Sequence, residues 1–219
     1  MGEESELVCV SKMSRTEQPT RLEDLERVEA ELLDTLQNEL PKRKATYTLL
    51  YLCGVARRTL AQSRAFKNCV QDQNGLVALA LIRLQLDTVL RVYALYWVND
   101  PHSFAQEVFE GKQIDKIKAA DGQLMKDRYL IERLLPRNPW INDVYKNTSG
   151  LIHFSSRHIH ASIRNKGTTE GEYEIFIGPN NPEHEYSDFE EMNSAFFHTT
   201  AMINVAVDYW FKHVEKTIP

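Results

Sequence analysis

From Leu22 onward, apolar residues return at helical intervals: Leu22, Leu25, Val28, Leu32, Leu36 and Leu40 share one face, while Glu and Arg fill the others. One apolar stripe at a 3.6-residue period predicts an amphipathic helix that must bury its leucines. Thr20 is placed to cap its start and Pro41 to end it. A second helical pattern runs from about Lys42 to Asn68. Asn74 and Gly75 then mark a break or the first turn of a third helix, which ends near Trp97. Apolar residues surround this third helix almost completely, the mark of a central, buried element. A shorter helix is expected after Pro101 and another from Gln123 to Leu135. The proline-bounded loop "PRNPWIND" then leads into "VYKNTSGLIHFSSRHIH", residues 144 to 160, read as a further helix.

Beyond that segment the pattern changes. Tyr173, Ile175 and Ile177 alternate as strand residues do, after a Gly- and Thr-containing loop. A lone strand is not stable by itself, so it needs a flanking segment or a second copy of the chain to pair with. Ser187 with Glu190 reads as a capping box that opens a last helix. The expected fold is an all-α bundle of about six helices. A small β element is expected near 172–178, a loose tail over 1–19 and a single helical domain over 20–219.

Composition narrows the class. The chain has 219 residues, 42% hydrophobic and 26% charged, as a folded globular protein does. Its formal net charge of -5 argues against coating nucleic acid, which requires a surplus of Lys and Arg, but leaves room for a local basic pocket. Cys9, Cys53 and Cys69 form neither a disulfide framework nor a zinc knuckle, and point to a reducing, cytoplasmic setting. The acidic opening "MGEESELVCVSKM" lacks the apolar run of a secretory signal. Arg83, Gln85, Asp87 and Arg91 interrupt the most apolar stretch, so a buried helix is expected there and no membrane span.

Two polar rows carry the candidate chemistry. On the third helix, Arg83, Asp87 and Arg91 stand four residues apart, with one excess positive charge. Buried charges need partners. On the 144–160 segment, about 100° per residue places Ile152, Ile159 and Ile163 near Tyr145 as a core face. Ser156, Ser149, His160, His153 and Arg157 line one flank of it. If the two rows face each other, they form a pocket for a phosphate or carboxylate. Arg83, Asp87, Arg91, Arg157 and His160 would bind the anion, and His153 would move a proton with Tyr145 or Ser149 orienting it. The structural alternative pairs Arg83 with Asp87, sends Arg91 to an acid such as Glu132 or Glu190, and has His153 bond a carbonyl. His153, His160 and His198 or Glu190 are metal-type donors without metal-site spacing, so no metal site is assigned. No Walker loop or dinucleotide fingerprint appears, and no cofactor is expected.

"LIRLQLDTVLRVYAL" followed some fifty residues later by "VYKNTSGLIHFS" resembles an uncharacterised family of helical bacterial proteins, a domain of unknown function. That family pairs an Arg-x3-acid element on one helix with Tyr-x3-Ser-x3-His on another. The likeness spans about Tyr47 to His160, with Asp87 where Glu is commoner. It implies the pairing of the two elements and no activity. More distantly, the chain is similar to HEPN-type proteins, many of them ribonucleases of toxin and phage-defence systems. Their motif is Arg, four to six intervening residues, then His, whereas only two residues stand between Arg157 and His160. The leading expectation is an anion-binding helical protein for a nucleotide or RNA end, oligomeric through leftover apolar surface. The rivals are a non-catalytic module that docks a protein partner and a divergent HEPN-like ribonuclease.

Overall fold

The computed structural model describes residues 22–165, 173–179 and 186–215. The expected tail over 1–19 lies outside them, as does the side chain of Ser187 in the expected capping box. Four long helices build the bundle: α1 (Leu22–Glu39), α2 (Tyr47–Gln71), α3 (Gly75–Ala94) and, late in the chain, α8 (Tyr186–Tyr209). Shorter helices fill the interval: α4 (Pro101–Phe109), α5 (Asp127–Leu134), α6 (Trp140–Thr148) and α7 (Ser156–His160). The all-α bundle is as expected, with eight α-helices among the described residues instead of about six.

α3 sits at the centre and packs against α2, α5, α6 and α8, while α1 covers α2 and α8. Its nearly all-round apolar sequence follows from that position: Ala78, Ile82, Leu86, Val89, Leu90, Val92 and Tyr93 are all buried. In α1 the stripe buries Leu25, Val28, Leu32 and Leu36, each worth about 1.5–3 kcal/mol relative to exposure. Phe66 of α2 stacks on Phe196 of α8 with ring centroids 4.1 Å apart. Deep between α3 and α8, Gln85 Nε2 donates to Thr200 Oγ1 at 2.9 Å. No helix of the described residues is long and apolar enough to cross a membrane.

Several boundaries moved for local reasons. The second helix starts at Tyr47, because Thr46 is extended and its side chain accepts from the Leu49 N–H at 3.2 Å. α2 and α3 are separated by a tight turn in which Gln73 takes a φ of 55° and the Asn74 side chain caps α3. The predicted helix from Gln123 begins only at Asp127. Residues 117–125 instead fold back on themselves, with Ala119 N–H donating to Gln123 O and Met125 N–H to Ile117 O.

The largest correction concerns 144–160, which is not one helix. α6 stops at Thr148, and a separate short α7 begins at Ser156. Arg157 reaches back to the carbonyls of Lys146 and Asn147, and Ser155 Oγ donates to Gly150 O at 2.7 Å. These side chains satisfy the open end of α6 where a further turn would have done so. The expected core face is lost with the helix: Ile152, Ile159 and Ile163 are 42%, 49% and 41% exposed. The expected strand does exist. β2 (Tyr173–Ile175) pairs antiparallel with the flanking β1 (Ile163–Asn165), placing Ile163 opposite Ile175 and Asn165 opposite Tyr173.

Candidate functional site

Four-residue spacing on α3 puts Arg83, Asp87 and Arg91 along one flank, as read from the sequence. What organises them is Asp127, the first residue of α5. Its Oδ2 accepts from Arg83 Nη2 at 2.9 Å and its Oδ1 from Arg91 Nη2 at 2.5 Å, so one carboxylate bridges both arginines. Arg91 Nη2 also donates to Asp87 Oδ1 at 2.8 Å. Arg58 of α2 completes the row, with Nη2 at 3.4 Å from Asp87 Oδ2 and Nε donating to Thr88 Oγ1 at 2.9 Å. From α6, the Tyr145 ring lies under the Arg83 guanidinium at 4.8 Å, a cation–π contact.

Three guanidinium groups meet two carboxylates, so the network carries one net positive charge. Burial by itself would lower the Arg91 guanidinium, but Asp87 and Asp127 outweigh it and the net shift is upward. Arg91 is therefore a permanent cation. Tyr51 donates its hydroxyl to the Arg91 backbone carbonyl at 2.9 Å, and burial holds that phenol far above its ordinary range. Two nitrogens are left over: Arg83 Nη1 and Arg91 Nη1 are buried without any hydrogen-bond partner.

Both arginines are paired with acids, as a structural cluster would have them, but with other partners than the ones named. Asp87 serves Arg91 and Arg58, not Arg83, while Glu132 is committed to Arg128 at 2.8 Å on the exposed side of α5. Of the residues proposed for the site, the fold gathers Arg83, Asp87, Arg91 and Tyr145. It does not bring the others to them. His153 and His160 are exposed and touch none of the described residues through a hydrogen bond, ion pair or ring contact. Ser149 donates to the Tyr145 backbone carbonyl, and Arg157 is occupied in closing α6. Asp127 and Arg58 were missed. The unbalanced charge of the row called for an acid, but nothing in the sequence ranked Asp127 above Glu132 or Glu190.

Chemically, the arrangement offers guanidinium N–H donors in a half-buried, positively charged setting, braced by an aromatic ring. No histidine contacts it among the described residues, and its chemistry is that of guanidinium donors shared between carboxylates. Among the described residues there is also no group of three or more His, Cys, Asp or Glu arranged to hold a metal ion. In comparisons with known proteins, the chain matches no family model, no curated protein and no solved structure.

Proposed function

We propose that this protein binds a phosphate-bearing ligand, a nucleotide or the end of an RNA, at the Arg83/Arg91 network between α3, α5 and α6. The observation that carries the reading is the pair of buried guanidinium nitrogens, Arg83 Nη1 and Arg91 Nη1, with no acceptor. A buried donor left unsatisfied costs about 1–3 kcal/mol, and a phosphate brings several strong acceptors and the negative charge that the network lacks. The role is recognition, with His153 outside the binding group. The contact of Arg83 with Tyr145 supports the pairing of elements that the helical bacterial family implies, and free Cys53 and Cys69 agree with a cytoplasmic setting.

Calorimetric titration with inorganic phosphate, AMP, and RNA oligonucleotides bearing a 5′-phosphate or a 5′-hydroxyl tests the proposal. We expect the phosphorylated ligands to bind and the 5′-hydroxyl oligonucleotide to bind at least about tenfold more weakly, a difference of ~1.4 kcal/mol. Arg91→Gln should remove that preference while leaving the helical circular dichroism intact. Equal binding of all four ligands to parent and variant would end this reading.

A second reading, self-association, rests on a separate observation. Tyr173, Ile175 and Ile177 are 62%, 67% and 96% exposed, on one face of the hairpin with Ile163, and Phe154 nearby in sequence is 83% exposed. Exposed apolar side chains on a short ribbon are of the kind that interaction sites carry. A two-stranded ribbon has free edges, and pairing with a second copy across a two-fold axis would cover both edge and face. Sedimentation of the parent beside Ile175→Asp/Ile177→Asp decides this: a dimer that the double variant converts to monomer supports it, and a monomeric parent at high concentration defeats it.

A further inference from the structure

α6 lies across α3 so that Arg83 and Tyr145 meet on one flank and the adjacent residues Ile82 and Val144 face a different space. That space is a cavity of ≈ 380 Å³ bounded by α3, α6 and α8, within the range of small-molecule sites, roughly 300–1,000 Å³. Its floor is apolar: Ile82 and Met192 are buried, and Val144 and Ala195 extend them. Trp140 forms one wall, tilted against the His198 ring at a centroid distance of 5.7 Å.

The rim has the opposite character to the arginine network. Asp143, Asp188 and Glu191 line the cavity, and no Lys, Arg or His among the described residues does. Asp143 and Glu191 make no hydrogen bond or ion pair with any described residue. Carboxylates around a cleft with low-dielectric walls focus a negative potential into it. An aromatic face beside that potential attracts a cation through its quadrupole, most strongly when the ring is Trp.

We propose that this cavity binds a small organic cation, an amine or quaternary ammonium with a compact apolar body. The apolar part would rest on Ile82, Val144 and Met192, with its charge between the Trp140 face and the Asp143 and Glu191 carboxylates. This site is separate from the phosphate-binding reading and does not depend on it.

The test uses benzyltrimethylammonium as probe, with its uncharged carbon analogue neopentylbenzene and with benzoate as controls, followed by quenching of tryptophan fluorescence and by NMR line broadening of the probe. Saturable binding of benzyltrimethylammonium is expected, weakened at least about tenfold by Asp143→Asn/Glu191→Gln, ~1.4 kcal/mol, and weakened further by high salt. Ala195→Phe fills the cleft without altering charge and is expected to abolish binding as well. Both variants are checked for parental helix content and melting temperature. Absence of saturable binding to the parent overturns the proposal, as does equal affinity for the uncharged analogue or unchanged affinity in the carboxylate double variant.

Discussion

Replacing Asp127 by asparagine keeps the shape of the side chain and removes the charge that two arginines share. Arg83, with a side chain only 9% exposed, would lose its ion pair altogether; Arg91 would keep Asp87. Breaking a fully buried pair costs about 3–5 kcal/mol, and because Asp127 and Arg91 retain 28% and 23% exposure, water recovers part of that, leaving about 2 kcal/mol. For a domain of this size the melting temperature should fall by about 4–8 °C. Differential scanning calorimetry at low ionic strength measures it. A phosphate titration supplies the second arm: the variant has lost a competing carboxylate, so added phosphate should raise its melting temperature more than the parent's. At ten times the dissociation constant the stabilisation is about 1.4 kcal/mol. A fall of less than about 1 °C would refute the claim that Asp127 holds the network together. An equal phosphate response in parent and variant would refute the claim that the Arg83 and Arg91 guanidinium groups are where the anion binds.

Four further outcomes follow from the same geometry. Hydrogen bonds from Lys42 and Arg43 hold the Glu39 carboxyl below its ordinary 4.5, so the stability it contributes is present above that value and is lost as pH falls through the lower folded value; melting curves of parent and Glu39→Gln should differ at pH 7 and converge in acid. Burial raises the thiols of Cys53 and Cys69, with Asp72 adding to the second, so iodoacetamide should label both more slowly than free cysteine at pH 7 and faster after unfolding in urea; labelling at the free rate in the native protein would contradict this. Asp100→Ala removes the acceptor for the His102 and Ser103 N–H groups at the start of α4 and should cost about 1 kcal/mol by thermal denaturation. In Gly150→Ala the new Cβ would stand 3.0 Å from Arg157 Cδ and 3.1 Å from Ser155 Oγ, so hydrogen exchange near residues 146–151 should accelerate, and unchanged exchange would show that the Arg157 closure does not hold that end of α6.

What the sequence made legible was whatever depends on short-range period. The leucines of α1 and the all-round apolar surface of α3 report burial directly, because one helix turn repeats the same environment. The Arg83/Asp87/Arg91 row was visible for the same reason. Asp127 was not, since it pairs with Arg83 and Arg91 across 44 and 36 residues, a separation at which spacing says nothing. The 144–160 segment misled for a local reason: its wheel is regular, but Ser155, His158 and Arg157 offer the backbone partners of their own, and such bonds compete with a continuing helix. Once α6 stops at Thr148, the four-residue spacing of Tyr145, Ser149 and His153 no longer places them on one face. Likewise Gln123 begins a helical pattern in sequence yet serves as an acceptor for Ala119 in the fold-back that precedes α5.

Why the network stays one acid short is itself informative. A structural cluster under no other demand would be balanced by any carboxylate within a turn, and α5 carries one in Glu132. That side chain is instead turned outward to Arg128, where both partners are exposed and the pair is worth little. Of the described acids of α5, Asp127 is the one that reaches these arginines, at a helix N-terminus where the backbone dipole already favours a negative charge and where it is shared between two donors. Arg83 and Arg91 each keep one buried nitrogen without an acceptor among the described residues, while Arg58, the third cation of the row, stands half in solvent. On the proposed reading, an acceptor reaching either nitrogen would satisfy a buried donor, Arg83 lying with its guanidinium carbon 4.8 Å from the Tyr145 ring centroid. The two nitrogens without an acceptor are what the proposed phosphate-bearing ligand would satisfy.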